Sequence, residues 1–214
     1  TEKEIPISNT MFPNPWSITN LRWKSDSSRF TFLYNQRGHQ VLRLIAVNAG
    51  NGEAISLAEE TSKTFVDYNH KTYLHWLRED LGFIWMSERD GFNHLYLMDG
   101  NGAGVRKQLT RGNWMVRSVD HLDESQGNIF LRLMGLNQSQ DPYFMHFARV
   151  NWNSGEFVPL TDASGTHRMQ LSPDGKYLLA TWSRVNHAPV TELRNALTGL
   201  KILNLHEADD SRLR

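Results

Sequence analysis

The sequence of 214 residues contains no cysteine, which excludes disulfides, thiolate zinc sites and a cysteine nucleophile. It also lacks an excess of either charge, because Lys plus Arg and Asp plus Glu both number 23. A neutral balance gives no electrostatic basis for binding nucleic acid or an anionic membrane, so we expect no nucleic-acid partner. No apolar run is long enough to cross a bilayer, and we expect no membrane span.

Neither an initiator Met nor a secretory leader stands at Thr1, which we interpret as the start of a processed or trimmed chain. The absence of cysteine fits a cytoplasmic protein and equally a periplasmic or secreted bacterial one, so the compartment stays open. What the sequence does contain is 39% hydrophobic and 11% aromatic residues. This composition suffices for a packed core and argues against disorder.

Four segments of the sequence repeat one pattern: an apolar or aromatic residue, a short polar turn that holds an acid, and an alternating strand. The acids are Asp26, Glu79, Glu124 and Asp174. Third strands are predicted at residues 41–47, 95–98, 143–150 and 190–193. Fourth strands are predicted around Ile55, Gln108, Val158 and Ile202. Each unit therefore reads as four strands joined by turns.

Alternation favours strands over helices, since Phe30, Phe32 and Tyr34 fall on one face of a strand and Leu33 on the other. Residues 57–63 are the stretch that we interpret as a short helical turn. A four-stranded unit that recurs at about 45–50 residues is typical of propeller blades. A twisted β-sandwich is the alternative, but its strands have no four-strand period.

We therefore predict an all-β fold, a β-propeller fragment of about four four-stranded antiparallel blades that occupies residues 1–214. The approximate blade limits are residues 16–62, 63–112, 113–163 and 164–210. Four blades would leave sheet edges open, and open edges recruit partners, so we expect self-association.

Several motifs resemble one family. They are residues 85–97 (Trp-Met-Ser-Glu-Arg-Asp-Gly-Phe-Asn-His-Leu-Tyr-Leu), 108–116 (Gln-Leu-Thr-Arg-Gly-Asn-Trp-Met-Val) and 171–178 (Leu-Ser-Pro-Asp-Gly-Lys-Tyr-Leu). Together they resemble the propeller of the dipeptidyl peptidase IV family, a group of prolyl oligopeptidase-type serine peptidases. The resemblance implies the later half of an eight-bladed propeller that precedes an α/β-hydrolase domain, which this chain lacks. It also implies two partners, that hydrolase domain and small peptide substrates, with the propeller gating access to the active site.

No catalytic residue is assigned to this chain. A hydrolase of this type needs Gly-x-Ser-x-Gly, and the one glycine pair four residues apart, Gly100 and Gly104, encloses Gly102. We interpret residues 100–104 as a flexible hairpin instead of a phosphate loop, because a strand is predicted after it. The nine histidines contain no His-Glu-x-x-His, so we assign no metal and no cofactor.

The remaining candidates each have a structural and a functional interpretation. The resemblance implies a glutamate pair that holds the substrate's amino terminus, yet we interpret Glu59 and Glu60 as a solvated turn after a strand. We interpret Arg89 and Asp90 as a local pair in a turn, with a rim contact as the alternative. Asn137 lies in a glycosylation sequon that chance explains. Substrate-binding residues stay unassigned.

The tryptophans favour blade core over a sugar-binding surface, because most of them recur at equivalent strand positions. They are Trp16, Trp23, Trp76, Trp85, Trp114, Trp152 and Trp182. The leading hypothesis is a non-catalytic propeller domain of a serine-type dipeptidyl peptidase. The alternative is a stand-alone propeller that binds a protein or a glycan.

Overall fold

The computed structural model describes residues 4–78, 81–209 and 211, and this part of the chain is all-β. It contains sixteen strands and, near its start, one turn of 3-10 helix at Asn9–Met11. The strands form four antiparallel sheets of four consecutive strands, and the order within each sheet follows the sequence. The predicted fold class, four blade-like sheets of a propeller fragment, is confirmed.

The first two sheets occupy the first half of the chain. The first comprises β1 (Pro15–Trp23), β2 (Arg29–Gln36), β3 (Val41–Asn48) and β4 (Ala54–Thr61). The second comprises β5 (Leu74–Trp76), β6 (Phe83–Ser87), β7 (His94–Met98) and β8 (Val105–Gln108).

The other two sheets follow with the same topology. The third comprises β9 (Met115–Asp123), β10 (Asn128–Met134), β11 (Met145–Asn151) and β12 (Phe157–Pro159). The fourth comprises β13 (Thr166–Leu171), β14 (Tyr177–Arg184), β15 (His187–Asn195) and β16 (Lys201–Glu207). The limits of the predicted domain itself stay a prediction.

Two local expectations are wrong. Residues 57–63 do not form a helical turn, because β4 continues to Thr61 and pairs Glu59 with Arg43 of β3. The third strand of the third sheet does not begin at Tyr143 but at Met145. The Asp141 carboxylate accepts the backbone N–H of Tyr143 at 2.9 Å. This hydrogen bond forms a turn, so the strand begins only after it.

Acidic side chains stabilise the first hairpin of the first, third and fourth sheets. Asp26 accepts the backbone N–H of Ser28 at 2.9 Å, and the hydroxyl of Ser28 holds the pKa of that carboxyl below its usual range. In the third sheet Asp123, the neighbour of the predicted Glu124, accepts the N–H of Ser125 at 2.9 Å. Asp174 accepts the N–H of Lys176 at 3.2 Å. Glu79 lies outside the described residues.

The chain divides into two compact units, residues 1–91 with 95–108 and residues 92–94 with 109–214. In the first unit one core joins side chains of the first two sheets, among them Leu44 on β3 and Trp85 on β6. Leu33 packs against this core, whereas Phe32 and Tyr34 belong to a separate cluster. The predicted alternation along β2 is therefore confirmed: each face of the strand meets a different apolar cluster.

In the second unit the core joins the third and fourth sheets through residues such as Phe147 on β11 and Leu178 on β14. A buried arginine, Arg194 on β15, reinforces the same junction. Its guanidinium donates to Glu192 at 2.7 Å and to the carbonyl of Leu160, next to β12, at 3.2 Å. One side chain thus ties a strand of the fourth sheet to the end of the third.

We predict that Arg194→Met destabilises the second unit by roughly 3 kcal/mol, because it leaves the buried Glu192 carboxylate without its main partner. Lys201, 3.4 Å from Glu192, compensates only in part. The matched control is Lys176→Met, which removes a pair with Asp174 between two exposed side chains and should change little. Urea unfolding measures both, and equal effects of the two substitutions would contradict the prediction.

Candidate functional site

The glutamate pair lies in a strand and not in a turn, which corrects the expectation from the sequence. Glu59 and Glu60 are the sixth and seventh residues of β4. Glu60 Oε1 accepts the indole N–H of Trp85 at 2.7 Å and approaches Arg89 Nη2 at 3.3 Å. Glu59 forms an ion pair with Arg43. Strand alternation sends the two neighbouring carboxylates to different partners.

A cavity of about 460 Å³ opens beside this pair and is lined by Glu59, Glu60 and Glu88. Each of the three carboxylates has a cationic partner, because Lys71 binds Glu88 at 2.6 Å in addition to the pairs above. The cavity therefore offers no uncompensated negative charge for an ammonium group. The geometry indicates a set of polar contacts that connects the first two sheets.

Arg89 and Asp90 do not form the local pair that the sequence suggested. Arg89 Nε donates to Ser87 Oγ at 2.8 Å, and its guanidinium lies 4.7 Å from the centre of the Tyr96 ring. Asp90 accepts a hydrogen bond from Gln108 Nε2 at 2.5 Å. Burial, with a contribution from the charge of Asp90, raises the pKa of Tyr96 to about 12. Arg89 therefore connects its own turn to Glu60 of the neighbouring sheet.

Residues 100–104 form the hairpin that the sequence predicted. The N–H of Asp99 donates to the carbonyl of Gly104 at 2.8 Å, and β8 follows directly. Asp99 Oδ1 accepts the N–H of Asn101 at 2.7 Å. The positive φ of Gly102, 94°, is a conformation that favours glycine. No helix follows the loop within the described chain, so the phosphate-loop geometry is not formed.

The assignment of tryptophans to the blade core is correct for some and wrong for others. Trp85 is 1% exposed and belongs to the core of the first unit. Trp16 and Trp23, both on β1, are 52% and 55% exposed. They belong to the first strand of the first sheet, and the apolar side chains of this strand are exposed to solvent in the described part of the chain.

A hydrogen bond between a histidine and a threonine occurs twice in the structure and is not predicted from the sequence. His94 Nδ1 lies 3.0 Å from the hydroxyl of Thr110, and His94 Nε2 donates to the carbonyl of Gly112 at 3.0 Å. His146 repeats the arrangement with Thr161 at 3.3 Å. Because Gly112 offers only an acceptor, the Nε2–H tautomer of His94 follows, and the threonine hydroxyl donates to Nδ1. The sequence signal was a histidine at the start of the third strand and a Leu-Thr 15–16 residues later.

Two of the histidines form a buried pair in the second unit. The rings of His146 and His167 are 4.8 Å apart, and His167 is 2% exposed. His167 Nδ1 donates to the carbonyl of Met145 at 3.1 Å, while Nε2 has no hydrogen-bond partner among the described residues. Burial, assisted by the neighbouring His146, lowers the pKa of His167 to about 4. The pair is therefore held neutral at physiological pH.

The described residues do not form a metal-binding site. Within residues 4–78 and 81–209 no group of three or more His, Cys, Asp or Glu side chains could hold a metal ion. The same residues contain no helix with the length and apolar character that a membrane span requires.

Four consecutive antiparallel sheets with four strands each define this chain as a set of β-propeller blades. Residues 1–189 match the sequence model of the dipeptidyl peptidase IV N-terminal region. The chain belongs to this family, and the resemblance drawn from its motifs is confirmed.

Solved structures share the fold. One is a Bacteroides ovatus protein provisionally assigned as a dipeptidyl aminopeptidase IV, with 25% identity over 90% of this chain and a TM-score of 0.68. Another is dipeptidyl peptidase 4 from Porphyromonas gingivalis, with 19% identity over 91% of this chain and a TM-score of 0.66. The match covers 29% and 26% of those two chains, so this chain spans less than a third of their length.

We predict that the second unit loses stability as the pH falls from about 6.5 to about 4. The folded state keeps His167 neutral down to a pKa of about 4, whereas the ordinary value of 6.5 applies to the unfolded chain. The unfolded chain therefore binds more protons in this window, and acid favours unfolding. The free energy of unfolding should fall between pH 7.5 and pH 5.5, and His167→Asn should reduce this fall by about 1 kcal/mol. This value is smaller than the maximum that the pKa shift of His167 allows.

Urea unfolding at the two pH values measures this effect. His206→Asn is the matched control, because His206 lies on β16 and is exposed. An unchanged pH dependence in His167→Asn would contradict the assignment of the acid sensitivity to the buried pair.

Proposed function

We propose that this chain is a non-catalytic propeller segment of a serine-type dipeptidyl peptidase and that it shapes the access of small peptides to a hydrolase active site outside these 214 residues. The observation that carries the proposal is the family match over residues 1–189, combined with the lack of a Gly-x-Ser-x-Gly elbow in the sequence. The reaction of the longer protein is hydrolysis that releases dipeptides from peptide amino termini, through an acyl-enzyme on a serine.

The ion pairs and hydrogen bonds of the polar residues support an architectural role for this segment. The carboxylates around Glu60 are ion-paired, and His94 and His146 have hydroxyl partners on neighbouring strand ends. A general base needs a lone pair that faces a substrate, whereas these groups use theirs inside the fold. The segment therefore contributes walls and loops, and the reacting groups come from elsewhere.

The partners follow from the same proposal. The α/β-hydrolase domain of the longer chain and small peptides are the partners of the intact protein. For the isolated chain we infer self-association, because apolar side chains are exposed at both ends of the series of sheets. On β1 they include Ile18 and Leu21, and on β16 they include Ile202 and Leu205.

We predict that the isolated chain does not hydrolyse a Gly-Pro chromogenic substrate. The natural chain that extends it through a Gly-x-Ser-x-Gly elbow should hydrolyse this substrate, and replacing the elbow serine with alanine should abolish the activity. Release of the chromophore by the 214-residue chain would refute a non-catalytic role. An inactive extended chain, or a gene that ends at Arg214, would favour the stand-alone binding module.

We also predict that the isolated chain forms dimers or larger species in light scattering at micromolar concentration. Replacing Trp16 and Trp23 with serine should shift the distribution towards monomer, because the substitutions remove exposed apolar area from β1. Phe65→Ser is the matched control, since Phe65 is exposed on a loop of the same unit. A chain that is monomeric at every concentration would contradict self-association.

A further inference from the structure

The second unit contains an apolar cavity of about 410 Å³, which is separate from the cavity beside Glu59 and Glu60. It lies between the loop that joins β10 to β11 and the segment that precedes β9. Its walls are six large apolar side chains: Phe92, Trp114, Met115, Met134, Pro142 and Tyr143. This volume is within the usual range for small-molecule pockets.

The cavity is preformed. The Trp114 ring packs edge-on against His94, with centroids 4.8 Å apart, and lies 5.2 Å from the ring of Phe157. Gln138 Nε2 donates to the carbonyls of Asn113 at 3.1 Å and Gly135 at 2.9 Å, which joins the two segments that form the walls. A ligand would therefore bind without first ordering these elements, which lowers the entropic cost of binding.

The same loop holds a large aromatic side chain in water. Tyr143 is 77% exposed, although the carboxylate of Asp141 fixes its backbone N–H at 2.9 Å. Gln140 anchors the loop as well, because its amide accepts from His146 Nε2 at 2.9 Å and donates to the carbonyl of Asp162 at 3.2 Å. An exposed tyrosine on an anchored loop beside an apolar cavity is typical of a binding surface.

The lining determines the chemistry of the ligand. Among the described residues no Asp, Glu, Lys, Arg or His lines the cavity, and the polar side chains that line it are the amides Asn113, Asn137, Gln138 and Gln140. A charged group would lose its hydration without gaining an opposite charge. A sugar could pair some hydroxyls with these amides, but the hydroxyls that face the apolar walls would stay unpaired. An apolar side chain fits the walls, and the side-chain amide of Asn113 and the amide oxygen of Gln138 can pair with the backbone of a peptide.

We propose that this cavity is a subsite for one uncharged, apolar side chain of an extended peptide. The inference deepens the proposed function and rests on it for the choice of a peptide as the ligand. The two methionines suit a subsite that accepts several apolar side chains, because their flexible thioethers adapt to different shapes.

The test is a titration of the 15N-labelled chain with two capped tripeptides, acetyl-Ala-Phe-Ala-amide and acetyl-Ala-Glu-Ala-amide, and with maltose. We expect the phenylalanine peptide to shift the indole resonance of Trp114 and to bind at least fivefold more tightly than the other two probes. Tyr143→Ala should weaken this binding at least fivefold. The matched control is Tyr177→Ala, which removes an exposed tyrosine on β14 away from the cavity and should leave the affinity unchanged.

Three results would overturn the subsite: no shift at Trp114, equal binding of the three probes, or equal affinities of Tyr143→Ala and the unsubstituted chain. These outcomes are distinguishable from failure of the proposed function. An extended chain that cleaves Gly-Pro substrates while the cavity binds nothing removes only the subsite. A cavity that binds the phenylalanine peptide in a protein with no peptidase activity removes only the proposed function.

Discussion

A four-stranded sheet is stable only when its apolar faces are covered, and this requirement organises the whole structure. In the first unit the face of β3 that bears Leu44 is covered by the sheet that contains Trp85. In the second unit Phe147 and Leu178 meet in the same manner. These contacts bury the apolar side chains of each unit, so a sheet taken alone would lack its main source of stability.

Polar groups stabilise the regions where apolar packing ends. Arg194 satisfies backbone carbonyls and a buried carboxylate at the junction of the third and fourth sheets. Glu60 plays the corresponding part in the first unit, where it joins Trp85 to Arg89. These groups carry charges and lone pairs of the kind that catalysis uses, yet each is used within the fold. Function is therefore expected at the loops, which the framework holds in position.

The repeat in the sequence predicted the four sheets because hydrophobic alternation and turn residues act locally. The same local signals predicted the hairpin at residues 100–104. Contacts between distant parts of the chain leave no such local signal: the polar neighbours of Glu60 predict a turn although it lies in β4, and nothing local predicts the hydrogen bond between His94 and Thr110. The residue type of Tyr143 favours a strand, but the Asp141 side chain forms a turn there instead. The cavity beside Tyr143 depends on such contacts and has no signature of its own in the sequence.

The order of strands within each sheet has a consequence for how the chain is made. Within each sheet every strand after the first pairs with the one just before it, so each sheet can close as soon as its own stretch of polypeptide has been synthesised. Synthesis then completes one sheet at a time, and within each unit the second sheet packs against the apolar face of the first. During synthesis each unit therefore keeps one sheet face uncovered until its second sheet is complete.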